Sequence, residues 1–318
     1  MRVLVVTNMY PTRERPALGS FVRDQVEAFR RRGDLEVELF TFPPGARHYP
    51  EAAYRLRRRY GRLERFDVVH VHFGLTAWPA LLARLGPVVV TLHGNDLFVG
   101  RSKAVTLTAL PFTALTAAVS REFGANVPGA GTRRRVAVLP MGIDLERFRP
   151  IPREEARERL GLAAGEPCLL FPHDPVRPLK RFDRAREAAG DVRLLTMGRV
   201  PFDDVPYWIN AANAVLVPSQ AEGFGLSVIE ATACGVPAFA TPVAIHPVVL
   251  GDLEGAFCAP WEPDAWRAAL RAPLADADPR VDGRARAGLF SADRMAARVV
   301  AAWRDVLDER SVSARGAF

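Results

Sequence analysis

Short, continuous apolar runs recur along the chain, each ended by a polar or glycine-rich turn. In the first half they read RVLVVT (2–7), VELFTF (37–42), DVVHVHF (67–73), PVVVTLH (87–93), LTAAVS (115–120) and VAVLPMG (136–142). In the second half they read CLLFP (168–172), VRLLTMG (192–198), AVLVPS (214–219), PAFAT (237–241) and GAFCAP (255–260). Runs of this kind predict parallel strands buried on both faces. Between them the apolar spacing lengthens to three or four. GSFVRDQVEAFRRRG sets Phe21, Val22, Val26 and Phe29 on one helical face and stops at Gly33, and TAWPALLARLG is a second helix. A last amphipathic helix is expected over 291–310. Strand–helix alternation predicts an α/β protein with doubly wound parallel sheets. At 318 residues, two domains are expected, joined where Pro150 and Pro152 interrupt the pattern: 1–149 and 150–290, followed by the helix of 291–318. Two such domains facing each other would leave a cleft at the carboxyl ends of their strands, where ligands of this architecture bind.

Composition narrows the classes. The chain is 49% hydrophobic and 25% charged, ordinary for a globular protein. MRVLVVTNMYP carries too short an apolar run for a signal peptide, and no stretch approaches the ~20 apolar residues that span a bilayer. A cytoplasmic protein is expected, with Cys168, Cys234 and Cys258 as reduced thiols. His70 and His72 are the nearest approach to metal-ligand spacing, and no metal site is expected. The charge is uneven: residues 1–150 hold 23 Lys and Arg against 13 Asp and Glu, residues 151–318 hold 20 against 23. The densest basic cluster is RLRRRYGRLER, from Arg55 to Arg65. It fits an anionic partner such as a membrane lipid surface, and equally a solvated face. Without a stacking-aromatic pattern, nucleic acid is not an expected partner.

One turn concentrates the unusual residues. EGFGLSVIEATACG (222–235) follows the strand AVLVPS, and its Gly223-Phe224-Gly225 opens a helix. Glycines at a helix N-terminus let backbone N–H groups, here those of Phe224, Gly225 and Leu226, approach an anion. Glu230 lies about one turn inside, on the side of Leu226, where a carboxylate can accept two ribose hydroxyl hydrogen bonds. Glu222 sits in the turn, able to face a sugar beyond the phosphates. On spacing alone, an exposed turn Glu and a helix-face Glu is the favoured reading.

PSQAEGFGLSVIEATACGVPAFAT resembles the Glu-x7-Glu signature of the retaining family 4 glycosyltransferases, with Ala238 where Val is frequent. VLPMGIDLERFRP (138–150), VVVTLHGNDLF (88–98) and DVVHVHF (67–73) resemble further segments of that family, in family order across both halves. The resemblance implies a GT-B fold: two facing Rossmann-like domains, the first binding the acceptor and the second the sugar nucleotide, with the final helix crossing back to the first. It implies transfer of a sugar with retained anomeric configuration from a UDP- or GDP-sugar, with no metal or other cofactor. An Arg and a Lys on the turn after the first strand of the second domain would neutralise the leaving diphosphate, here Arg177 and Lys180. The turn departs from the family's Gly-Arg…Lys-Gly pattern: His173-Asp174 stand near the Gly-Arg position and Arg181 follows the Lys. His93 matches the family's histidine near the transferred sugar, Asp96 is expected to touch the acceptor, and Gly19-Ser20 open the helix after the first loop. Backbone around Met197, Gly198 and Val200 is expected to meet the base. PVAIHPVV stands where the family has Gly-Gly-x-x-Glu. The acceptor is expected to be lipid-linked or a polysaccharide, met at the inner face of the plasma membrane through the basic first domain. Two other readings stay open: a different nucleotide-sugar chemistry on the same fold, and a degenerate partner protein that keeps the pocket without turnover.

Overall fold

The computed structural model describes residues 1–15, 18–61, 65–98, 100–198 and 200–315. Arg62, Leu63 and Glu64 of the basic cluster lie outside the described residues, as does Arg199 of the expected base-binding loop. The chain forms two compact units, one of Met1–Thr12, Leu18–Gly142 and the chain from Ala292 onward, the other chiefly Ile143–Ser291. The division falls after Gly142 and not after residue 149. Ile143 N donates to Phe290 O at 2.9 Å, and Arg284 donates to Leu145 O at 2.8 Å and Phe148 O at 3.0 Å, tying 143–149 to the second unit.

In the first unit the order is β1 (Arg2–Thr7), α1 (Ser20–Arg31), β2 (Glu36–Thr41), α2 (His48–Tyr60), β3 (Val68–His72), α3 (Ala77–Ala83), β4 (Val88–Leu92), α4 (Asn95–Phe98), α5 (Gly100–Ala109), β5 (Leu115–Ala118), α6 (Arg121–Gly124) and β6 (Ala137–Val138). All pair in parallel, in the order β2-β1-β3-β4-β5-β6. Val3, Leu4, Val5 and Val6 are all inaccessible to solvent, which explains why β1 reads as an unbroken apolar run.

The second unit continues with α7 (Arg153–Leu160), β7 (Cys168–Phe171), α8 (Phe182–Ala189), β8 (Arg193–Thr196), α9 (Val205–Ala211), β9 (Ala214–Val217), α10 (Leu226–Ala233), β10 (Ala238–Ala240), α11 (His246–Leu250), β11 (Phe257–Cys258), α12 (Pro263–Ala275) and α13 (Arg284–Ala287). Its parallel sheet runs β11-β10-β9-β7-β8. Leu169, Phe171, Leu216, Phe239 and the fully buried Trp266 build its core. Arg157 is buried here too, donating to Ala211 O at 3.0 Å and Asn213 Oδ1 at 3.1 Å, so part of the chain's arginine serves structure.

The last helix, α14 (Ala292–Arg315), belongs to the first unit. Met295, Ala296, Val299, Val300, Trp303 and Val306 recur at the three-to-four spacing of one helical face, and all are buried. Trp303 lies 4.7 Å from the Phe29 ring on α1, and Gln25 Nε2 donates to Met295 Sδ at 3.3 Å.

Candidate functional site

In both sheets the strand order reverses once, between β1 and β3 in the first and between β7 and β9 in the second. Connections leave such a switch point to opposite faces and open a crevice at the carboxyl strand ends. The predicted residues gather at these two places.

At the second switch point, the turn after β7 carries His173, Arg177 and Lys180, and the turn after β9 carries Ser219 and Glu222. Lys180 Nζ makes a direct ion pair with Glu222 Oε2, and Ser219 Oγ donates to Glu222 Oε1 at 2.7 Å. Both paired side chains are nearly closed to solvent, 8% and 7% exposed. Burial pushes the Glu222 carboxyl up, but the opposing effects, led by the Lys180 ammonium, prevail and bring its pKa down to about 2. Lys180 itself is lowered by burial, with Glu222 opposing. Removing one member of such a pair would leave a buried unpaired charge. Arg177 is exposed, and its guanidinium has no hydrogen-bond partner among the described residues.

Two histidines bracket Glu222. His173 Nε2 stands 3.7 Å from Glu222 Oε1, and burial lowers its pKa to about 3, leaving it neutral. His246 Nδ1 donates to Thr241 O at 2.8 Å, so its buried Nε2 is a bare acceptor with no partner. Gly225 precedes α10 with φ 105°, and a Cβ there would meet His246 at 2.7 Å; glycine is required twice over. Glu230 lies one turn into α10, half-buried. Gly198, after β8, stands beside the Asp174 carboxylate in the turn after β7; Met197 precedes it and Val200 follows.

In the first unit three imidazoles line the ends of β3 and β4. His70 and His72 stack with centroids 4.7 Å apart, and His72 stacks on His93 at 5.2 Å. Trp303 Nε1 donates to His70 Nδ1 at 3.1 Å, and His70 Nε2 donates to Thr91 Oγ1 at 2.9 Å. His72 Nδ1 and His93 Nε2 share a 3.0 Å hydrogen bond. Burial lowers the pKa of His70 and His93 to about 3, and that of His72 well below the ordinary value. All three are neutral near pH 7.

Asp96, expected to touch the acceptor, has a structural role in the first unit. It is fully buried, and its carboxylate accepts from the backbone N–H of His93 at 2.6 Å, of Gly94 at 3.1 Å, and of Gly74. It braces the turn that carries His93. Gly19 is likewise explained internally: φ is 66°, and a Cβ would strike the Met9 backbone. Ser20 begins α1, and the next residue, Phe21, turns its ring to His93 at 4.8 Å and not into the core.

The model described as Glycosyltransferase Family 4 matches residues 1–147, and that described as Glycosyl transferases group 1 matches residues 176–287. A D-inositol 3-phosphate glycosyltransferase of Xylanimonas cellulosilytica is 30% identical over 335 residues, covering 84% of this chain and 74% of that protein. The chain belongs to the family 4 glycosyltransferases. A Segniliparus rotundus protein of the same name is 32% identical over 202 residues, 52% of this chain and 44% of its own length, so that match spans under half of the relative. Among solved structures, Anabaena HepE in complex with UDP and glucose superposes with a TM-score of 0.71 at 17% identity, over 96% of this chain and 100% of that one. It shares the GT-B fold, two Rossmann-like domains with parallel sheets.

For this glycosyltransferase, the sequence pointed to Glu222, Lys180, Arg177 and the 223–226 turn, and the fold brings these to one strand-end cluster. It missed Ser219, His173 and His246 as neighbours of Glu222. The available signal was their place: each follows the end of β7, β9 or β10 within a few residues.

Proposed function

We propose that the protein transfers a hexosyl group from a UDP- or GDP-sugar to an acceptor hydroxyl with retention of configuration, and without a metal ion. The observation that carries this reading is the Lys180–Glu222 pair at the switch point, with the unpartnered Arg177 guanidinium on the same turn and the Gly225 helix start beside it. The HepE complex, whose ligands are UDP and glucose, supports a nucleotide-sugar donor on this fold.

In this reading the diphosphate lies against the Phe224–Leu226 amides and Arg177. An ammonium has three N–H donors. Glu222 takes one on Lys180, and the others turn to phosphate. Lys180 in turn keeps Glu222 ionised, so that it accepts from sugar hydroxyls, while Glu230 accepts from the ribose. The base rests on the backbone near Met197, Gly198 and Val200. The acceptor oxygen attacks C1 from the leaving-group face. The C1–O bond to phosphate breaks, and the acceptor proton passes to the departing phosphate oxygen. No enzymic nucleophile is needed. The first unit binds the acceptor, with His93 as its polar contact. The excess of cations in residues 1–150 favours an acceptor carrying phosphate. The relatives' name, D-inositol 3-phosphate glycosyltransferase, and a lipid-linked diphosphate at the inner membrane face both supply that chemistry.

The test is turnover of a panel of UDP- and GDP-sugars with phosphorylated polyol and lipid-linked acceptors, reading the product anomer by NMR. Wild type gives the retained anomer, and a folded Glu222→Ala protein loses activity by roughly a hundredfold or more. Parent-rate turnover by Glu222→Ala removes the assignment. Donor binding without turnover favours the partner-protein reading.

A further inference from the structure

The three stacked histidines of the first unit differ in how their protons are fixed, and this has a consequence for His93. For His70 the choice is forced. An indole N–H only donates, so His70 Nδ1, which receives Trp303 Nε1 at 3.1 Å, is bare, and the proton sits on Nε2 and points to Thr91 Oγ1 at 2.9 Å. For His72 there are two choices. Its Nε2 is buried and has no partner, whereas its Nδ1 lies 3.0 Å from His93 Nε2. A proton on Nε2 would be a buried N–H with nothing to receive it. A proton on Nδ1 leaves only a bare lone pair there and makes the His72–His93 hydrogen bond. Orphaned buried donors are rarer than under-used acceptors.

We propose that His72 is a positioning residue: its Nδ1–H donates to His93 Nε2 and fixes His93 as the Nδ1–H tautomer, so that His93 offers its ligand a hydrogen-bond donor and never a base. The rest of the surroundings hold the ring for that task. Asp96 anchors the His93 backbone N–H at 2.6 Å, and the Phe21 ring lies against the imidazole at 4.8 Å. His93 Nδ1 has no partner among the described residues, and the residue is partly open to solvent. Burial keeps the pair neutral, so no second proton bridges the two rings. The group that His93 meets is therefore an oxygen with a free lone pair, such as a sugar or phosphate oxygen. The identity of that ligand rests on the reading above; the tautomer does not.

The test has two readouts. Two-bond 1H–15N correlation spectra of the wild-type protein report which imidazole nitrogen is protonated. His93 is expected with a protonated Nδ1 and a bare, hydrogen-bonded Nε2. The opposite tautomer, or a mixture, overturns the proposal even if the protein transfers sugar. In His72→Asn the amide N–H takes the place of Nδ1–H. It is expected to keep the His93 tautomer and a kcat within about threefold of wild type. His72→Leu, and His72→Gln, whose amide reaches the Nε2 position, release the tautomer. They are expected to lower kcat about tenfold, the rate equivalent of one hydrogen bond, with the donor KM unchanged. Equal kcat in the Asn and Gln variants, both folded by their melting curves, overturns it as well. A wild-type protein with the expected spectrum and no turnover leaves the tautomer standing and removes only the glycosyl-transfer reading.

Discussion

The two units use the same scaffold to opposite electrostatic ends. At the second switch point a buried carboxylate meets a side-chain cation, Glu222 with Lys180, and a guanidinium stands open beside them. In the first unit a buried carboxylate, Asp96, is met by three backbone N–H groups, and the side chain on the turn it braces, His93, is a neutral imidazole. A backbone amide has no charge to lend a ligand and no freedom to move. A lysine has both. The comparison teaches that one sheet end holds its buried carboxylate with a side-chain charge, and the other with fixed, uncharged backbone donors. In the proposed reading, the first kind of strand end would take the charged diphosphate and the second the acceptor hydroxyl.

The largest effect that could break the contrast comes from Lys180→Ala. It strands a buried Glu222 charge, so the second unit is expected to lose about 3–5 kcal/mol of stability, read by denaturant unfolding. The double variant Lys180→Ala/Glu222→Gln is expected to regain most of it. If the double variant is no more stable than the single, the pair is not coupled as the geometry says.

Acid titration sharpens the comparison at an intermediate scale. His70, His93 and His173 have folded pKa values near 3, below the unfolded value of about 6.5. The unfolded chain therefore binds more protons below pH 6.5, and stability falls from there down to about pH 3. Glu222, with its pKa near 2, contributes fully above about 4.5 and loses its contribution only as the pH falls towards 2. Acid destabilisation thus begins with the histidines. In His70→Gln the slope between pH 6 and 4 is expected to be shallower by up to about 1.4 kcal/mol per pH unit. An unchanged slope would mean that His70 is charged in the native state.

The smallest structural effect belongs to Arg177→Ala. With no partner to strand, it is expected to change stability by less than about 0.5 kcal/mol. Nucleotide affinity is expected to fall roughly tenfold, as for the loss of one charge-assisted hydrogen bond. A large loss of stability would show that Arg177 has a structural partner.

Much of this was legible in the sequence because buried parallel strands announce themselves. Each of the eleven apolar runs coincides with all or most of a strand, although VAVLPMG keeps only Ala137–Val138 and GAFCAP only Phe257–Cys258. Glu222 and Lys180 were visible as residue types in motif turns. What they do to each other was not, because 42 positions separate them and only the β7–β9 adjacency makes them neighbours. The bonds of Asp96 to backbone amides were hidden for a related reason. A carboxylate two residues past a strand-end glycine reads alike whether it faces a ligand or folds back on amides, and the choice is made by Gly74, which lies 22 positions away. His72 was placed on its strand, but its bond to His93 depends on the β3–β4 register.

The central claim is that the Lys180–Glu222 cluster holds a nucleotide diphosphate. The direct measurement is calorimetric titration of UDP, GDP and their sugars, without added metal, into the wild-type and Lys180→Ala proteins. Micromolar binding of one nucleotide by wild type, lost in a folded Lys180→Ala protein, is the predicted result. Absence of binding to every nucleotide, or equal binding by the two proteins, would contradict it.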